Sequence, residues 1–258
     1  MTGDAALQAA AAAALDVGAH ALRIVPVAAL SPFLGGPAVP PLARLGLALC
    51  LGAAVRASGG PGLPAGASLL GIAATELALG AVLAVAASLP VEAARGAGRL
   101  VDTLRGATLA ELHVAPLRQR ETAVGDLLAW WTVALGAWAG ADRLLVAALL
   151  DTYRAVPVGN PTPGAVVIGA QLESATAIVS AGICLGAPAA GALLCADLAL
   201  AAASRVAPRA ALGDAAHPLR AALGIAAVAA PAAAIGGRLV ELVALSASAV
   251  ARGAGSLP

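Results

Sequence analysis

The chain has very little charge and no lysine. Only 11% of its 258 residues are charged, 2% are aromatic, and all 15 basic residues are arginine. A soluble domain of this length carries about 25% charged residues, so this chain lacks the charge to cover a water-facing surface. The scarcity of aromatics argues against a transmembrane β-barrel, which needs aromatic girdles. With a net charge of +1, no basic field indicates a nucleic-acid partner.

What the sequence has in excess is apolar helix-forming residues. Hydrophobic residues make up 60% of the chain, and the mean hydropathy is +0.92. Several apolar stretches approach or exceed the roughly 20 residues that cross a bilayer core. Since backbone groups in lipid must be satisfied within the segment, these stretches predict α-helices. The fold class is therefore an all-α, polytopic helical membrane protein with kinked and half-length helices, and we expect one domain over residues 1–258.

Proline, glycine and charge divide the apolar sequence into six stretches. They predict a first helix over 5–30, a short one over 42–55, a span over 67–89 that ends before Pro90, and a long helix over 165–203. Residues 127–150 contain Asp142 and Arg143, so they form either one span with an internal ion pair or two half-length helices. The last stretch, 219–250, is expected to kink or break at Pro231 or Gly236–Gly237.

Residues 91–125 differ from the rest because charges are concentrated there. The pattern indicates an amphipathic helical hairpin or a solvated loop, and not a lipid-exposed segment. If residues 127–150 count as one span, the chain has six spans. The arginine-rich segments 91–125 and 205–220 then lie on the cytoplasmic side.

Catalytic and cofactor-binding patterns are missing from the sequence. His20, His113 and His217 have no second histidine or cysteine at metal-ligand spacing, and no nucleotide-binding loop or nucleophile motif occurs. The three cysteines, Cys50, Cys184 and Cys195, are interpreted as small core residues. We expect no enzymatic activity, no metal and no cofactor.

Charges inside apolar stretches tell more about function than the histidines and cysteines do. A charge costs at least about 2.5–3.5 kcal/mol at the bilayer centre, so it faces protein or a wet cavity. Such residues can form salt bridges or subunit contacts, or they can line a channel. The charges of this kind are Asp16, Arg23, Glu76, Asp142, Arg143, Glu173, Asp197 and Glu241. The candidates for a subunit contact or a pore lining are eight residues, which combine some of these charges with residues that a family resemblance marks: Arg23, Glu76, Asp102, Pro157, Asp197, Arg205, Pro208 and Pro218.

The order and spacing of these residues resemble a known family. The segment "DLALAAASRVAPRAALGDAAHPLR" is similar to one in the T/R subunits of type III secretion export gates, called SctT in injectisomes and FliR in flagella. Its Arg205-x-Ala-Pro208 and Pro218 stand at the places typical of the family. Two further segments fit, by the residues Arg23, Pro32, Gly35, Pro40 and Arg44, and Glu76, Gly80, Gly98, Asp102 and Gly106.

The chain also departs from the family pattern in one loop. A glutamine and an asparagine with aromatics usually follow the Ala-Pro, where this chain has Arg209, Ala210 and Ala211. The departure suggests a divergent, injectisome-type member, and a flagellar member is the alternative that the sequence leaves open.

The resemblance implies a non-enzymatic subunit of a gate in the bacterial inner membrane, which passes unfolded protein substrates. The implied partners are R-type and S-type gate subunits, a U-type switch subunit and a V-type large export subunit. Two alternatives from other classes are an unrelated polytopic transporter of a small solute and a membrane-embedded enzyme. The first would need a substrate site within the helix bundle, and the second a convergent nucleophile or metal set.

Overall fold

The computed structural model describes residues 3–60, 62–64, 66, 68–106, 122–159, 164–206, 212–230 and 232–253. In these ranges the chain forms α-helices and short 3-10 turns, without a β-strand. The predicted all-α class is therefore confirmed. The helices are α1 Gly3–Leu30, α2 Pro41–Ala57, α3 Leu69–Leu104, α4 Ala123–Trp138, α5 Ala141–Ala155, α6 Gly164–Val206, α7 Leu212–Ala229 and α8 Ala232–Gly253.

The prediction that a span ends before Pro90 is wrong. Helix α3 continues through this proline for 14 further residues and ends at Leu104. Proline removes one backbone donor, but the flanking alanine- and leucine-rich turns keep the other hydrogen bonds, so the helix persists. Residues 91–104, expected in a hairpin or a loop, are thus helical, and residues 107–121 lie outside the described ranges.

Of the two alternatives for residues 127–150, the structure shows the second: two half-length helices, α4 and α5. They are separated at Gly140, whose φ of 76° is in the left-handed region that favours glycine. Asp142 and Arg143 both lie exposed in the first turn of α5. Further along, the chain breaks between α7 and α8 around Pro231, as predicted, whereas Gly236 and Gly237 lie inside α8.

The count of six spans is also wrong. Among the described residues, three helices are long and apolar enough to cross a membrane, and up to five spans result if each of two bent helix pairs counts as one. The predicted count included α2 as a span. Its 17 residues reach only about 26 Å, short of a bilayer core of about 30 Å.

The described residues group into two compact units, each assembled from separate stretches of chain. Unit 1 comprises residues 1–89, 137–176 and 244–258, and unit 2 comprises residues 90–136 and 177–243. Helices α3, α6 and α8 each contribute residues to both units. The expectation of one domain over the whole chain stays a prediction.

The core of unit 1 brings together residues that are far apart in the sequence. One cluster joins α1, α3, α5 and the end of α8, and it includes Val27, Leu83, Leu149 and Ala249. In a second cluster, α2 packs on α1 at Gly52, where an added Cβ would lie 2.9 Å from the Ala21 nitrogen and the Val17 carbonyl oxygen. The two helices therefore touch backbone to backbone.

In unit 2 a small-residue motif holds α6 against α3. Gly182 and Gly186, a GxxxG pair, face Ala93 and Ala97, and an added Cβ would approach these residues to 2.8 Å and 3.2 Å. Small residues at this spacing allow close packing of helices in membranes.

Candidate functional site

Arg23 in α1 is one of the fully buried charged residues among those that the structure describes. Its side chain is 0% exposed, and that of Glu76 in α3 is 2% exposed. The two form a bidentate pair, in which Nε donates to Oε2 at 2.8 Å and Nη2 donates to Oε1 at 3.1 Å. This planar two-bond geometry is specific to arginine and a carboxylate.

The remaining donors of Arg23 are used at the C-terminal end of α5. Nη1 donates to the carbonyl oxygen and the hydroxyl of Thr152, at 3.1 Å and 3.3 Å, and Nη2 also donates to the carbonyl oxygen of Val156 at 2.9 Å. The guanidinium carbon lies 4.2 Å from the centroid of the Tyr153 ring, a cation–π contact. We call the set of Arg23, Glu76, Thr152, Tyr153 and Val156 the Arg23 clamp.

The clamp also fixes the loop that follows α5. Glu76 Oε1 accepts a hydrogen bond from the Gly159 amide at 3.2 Å, and Arg23 binds the carbonyl of Val156, so the two bonds bracket Pro157. Arg23 is a second donor to the Thr152 carbonyl, which also accepts from the Val156 amide, and it bonds the carbonyl of Val156 directly after α5 ends. One ion pair thus joins α1, α3, α5 and this loop.

A second buried carboxylate, Asp102, caps α4 within unit 2. Its side chain is 0% exposed, and its Oδ2 accepts from the amides of Val124 and Gly125 at 2.8 Å and 3.3 Å. These amides are free donors at a helix N-terminus, where a negative charge is also favoured by the helix dipole. Arg105, the first residue after α3, pairs with the other oxygen of Asp102.

This arrangement predicts different costs for two substitutions of Asp102. Asp102→Ala removes the acceptor and should lower the free energy of unfolding by about 1–2 kcal/mol, whereas Asp102→Asn keeps a neutral acceptor and should cost about half as much. Thermal unfolding of the purified protein in one detergent checks the order. An asparagine variant as unstable as the alanine variant would contradict the capping role.

The third group of predicted residues lies around the end of α6. Asp197 in α6 pairs with Arg220 in α7 within unit 2. Arg205 lies exposed in the last turn of α6, and Pro218 lies exposed inside α7, while Pro208 lies outside the described residues. The Asp197–Arg220 pair thus connects the helices on either side of the Arg205–Pro208 motif.

The eight predicted residues therefore fall into three places rather than one. The structure brings together Arg23, Glu76 and the Pro157 loop, holds Asp102 at α4, and pairs Asp197 with Arg220. Their role at a subunit contact or a pore stays a prediction. Sequence reasoning missed Thr152 and Tyr153, which lie in an ordinary amphipathic helix. The one available signal was that Tyr153 is the only tyrosine in the chain.

The interpretation of the cysteines as core residues is wrong for the chain by itself. Cys50, Cys184 and Cys195 are all exposed on their helices. In a chain this apolar, a hydrophobic sequence context does not distinguish the core from the outer face. Within the described ranges, no three histidine, cysteine, aspartate or glutamate side chains cluster at metal-binding spacing.

Taken together, the helices and the buried polar clusters define a polytopic helical membrane protein whose interior charges join its own segments. The model of the family described as "Bacterial export proteins, family 1" matches residues 16–245. The chain belongs to this family, which confirms the resemblance to the T/R subunits. It is accordingly a membrane component of bacterial protein export. No curated protein matches the chain significantly.

Proposed function

We propose that this chain is the T-type subunit of the inner-membrane export gate of a type III secretion system. In this role it is a structural, non-enzymatic, multi-pass subunit. It encloses, with R-type and S-type partners, the path of unfolded protein substrates. A U-type switch subunit and a V-type export subunit act next to it.

The proposal rests on one observation: in this chain, which belongs to the family, the buried charges bond to other segments of the same chain. The family match covers all eight predicted residues, from Arg23 to Pro218. Of these, Arg23, Glu76 and Asp102 are buried and bonded to other segments of their own chain. Groups held in this way are suited to joining helices and not to binding a transported solute.

The outer faces of the long helices support a role in an assembly. In each candidate span, 39% of the most apolar 18-residue window is buried within the chain. On α6 the exposed apolar side chains recur at helical spacing, at Val179, Ile183, Leu194 and Leu198. We propose that this face and the exposed Arg205 at its end contact neighbouring subunits.

The test is co-expression of the affinity-tagged chain with R-type and S-type subunits from the same gene cluster. We expect one complex with a single copy of this chain, by native mass spectrometry, and restored secretion in a strain lacking the gene. Expressed alone, the chain should accumulate poorly or aggregate, so the unfolding of its variants is measured on the co-purified complex. A monodisperse single protein that transports a small solute into vesicles would instead establish the transporter alternative.

A further inference from the structure

Helix α5 has two faces of opposite chemistry. Ala141, Leu145, Ala148, Leu149 and Thr152 are buried against other parts of unit 1. On the opposite side, Arg143, Ala147, Asp151 and Arg154 follow one another at intervals of three or four residues. At 3.6 residues per turn these four positions fall within an arc of about 80°, so they form one exposed face.

Among the described residues of unit 1, the charges on this exposed face have no buried partner that would allow them to lie in hydrocarbon. The Arg154 side chain is 85% exposed, and its ion pair is with Asp151 on the same face, at 2.8 Å. This differs from Arg23, which is fully enclosed and bonded to three other segments. A face that combines two arginines with an aspartate requires water or lipid headgroups.

The start of α5 carries a second, independent signal. Trp138, two residues before Gly140, is 85% exposed, and Asp142 and Arg143 follow it in the first helical turn. Tryptophan next to charged residues is typical of the boundary between lipid and water. Helix α5 has 15 residues and reaches about 22 Å, so it is too short to cross a bilayer core by itself.

We propose that α5 is an interfacial helix, which lies at the membrane surface with its charged face toward lipid headgroups and water. It is then not the second half of a membrane span. Both signs of charge are present on the exposed face, so the surface it fits is that of a zwitterionic or mixed headgroup layer. The proposal concerns membrane topology and does not depend on the role of the chain in a gate.

Thiol labelling of the full-length chain in membranes tests the proposal. In a background where Cys50, Cys184 and Cys195 are alanine, Ala147→Cys places a thiol on the charged face of α5. Val85→Cys is the matched control, because Val85 is exposed on the apolar α3 of the same unit. Since only a hydrated thiolate reacts, a membrane-impermeant maleimide should label Ala147→Cys about tenfold faster or more. Equal, slow labelling of both variants would overturn the proposal.

A second measurement uses the small number of tryptophans. The chain has three, so Trp130→Phe combined with Trp131→Phe leaves Trp138 as the sole indole. In phosphatidylcholine vesicles, its fluorescence should be quenched most by a spin label at headgroup depth. Strongest quenching by a label deep in the acyl chains would overturn the proposal. Rapid labelling of Ala147→Cys without lipid quenching of Trp138 would also overturn it, because α5 would then lie in water clear of the membrane.

Discussion

Glu76→Ala is expected to prevent accumulation of the folded protein. The substitution leaves the Arg23 guanidinium buried, without its carboxylate and without either of the two bonds to it. Removing one partner of a buried pair costs about 3–5 kcal/mol, a large part of the stability of a typical domain. The Gly159 amide also loses its acceptor, so the loop around Pro157 should detach. Membrane abundance and thermal unfolding in detergent provide the measurement.

The chain offers a matched control in the same unit. Arg56 and Asp16 form an ion pair at 3.1 Å, but the Arg56 side chain is 44% exposed. Arg56→Ala should therefore cost no more than about 1 kcal/mol. A Glu76→Ala variant as stable as Arg56→Ala would show that the clamp does not hold unit 1 together. Glu76→Gln should fall between them, because it keeps one acceptor oxygen and loses the charge.

Gly98→Ala is expected to disrupt unit 2 although it adds only one methyl group. The new Cβ would lie 2.5 Å from the Gly125 Cα and 2.6 Å from the Val124 carbonyl carbon, distances that no real contact shows. Because these are backbone atoms at the start of α4, the helix itself must move. Overpacking costs about 1–3 kcal/mol or more, and the shift would also pull the Val124 amide away from Asp102.

Gly96→Ala on the same helix is the control, since no atom lies within 4 Å of its added Cβ. Alanine is the better helix former by about 1 kcal/mol, so this variant should be as stable as the parent or more stable. The unfolding temperatures of the two variants, measured in the same detergent, test this prediction. If Gly98→Ala unfolds at the same temperature as Gly96→Ala, the close approach of α3 and α4 does not exist in the protein.

The sequence was sufficient to predict the class of fold and most of the apolar helices. Composition identifies a helical membrane protein, and long stretches such as 165–203 are recognisable by the length of their apolar sequence, even though Pro188 lies inside α6. The residues at which the helices end were harder to predict. Pro90 and Pro231 carry the same local signal, yet α3 passes through the first and the chain breaks at the second. The local sequence does not distinguish a proline inside a helix from a proline between two helices.

The same limit applies to the site. Intramembrane charge singles out Arg23 and Glu76 as unusual, because each is costly without a partner, and the family resemblance adds Asp102. Their partners could not be read from the sequence. Glu76 lies 53 positions from Arg23, and Asp102 bonds to amides, which every residue except proline has. A long-range ion pair and a carboxylate bonded to backbone amide donors leave no pattern in a single sequence.

The core cluster of unit 1 has a consequence for how the chain is made. Val27 packs in the same cluster as Ala249, which leaves the ribosome about 220 residues later. At bacterial rates of roughly 5–20 residues per second, the first helix waits for about 10–45 s before this neighbour exists. During that time α1 and its buried arginine have only part of their final surroundings. A helper that shields nascent membrane helices would therefore be needed most by this unit, until translation ends.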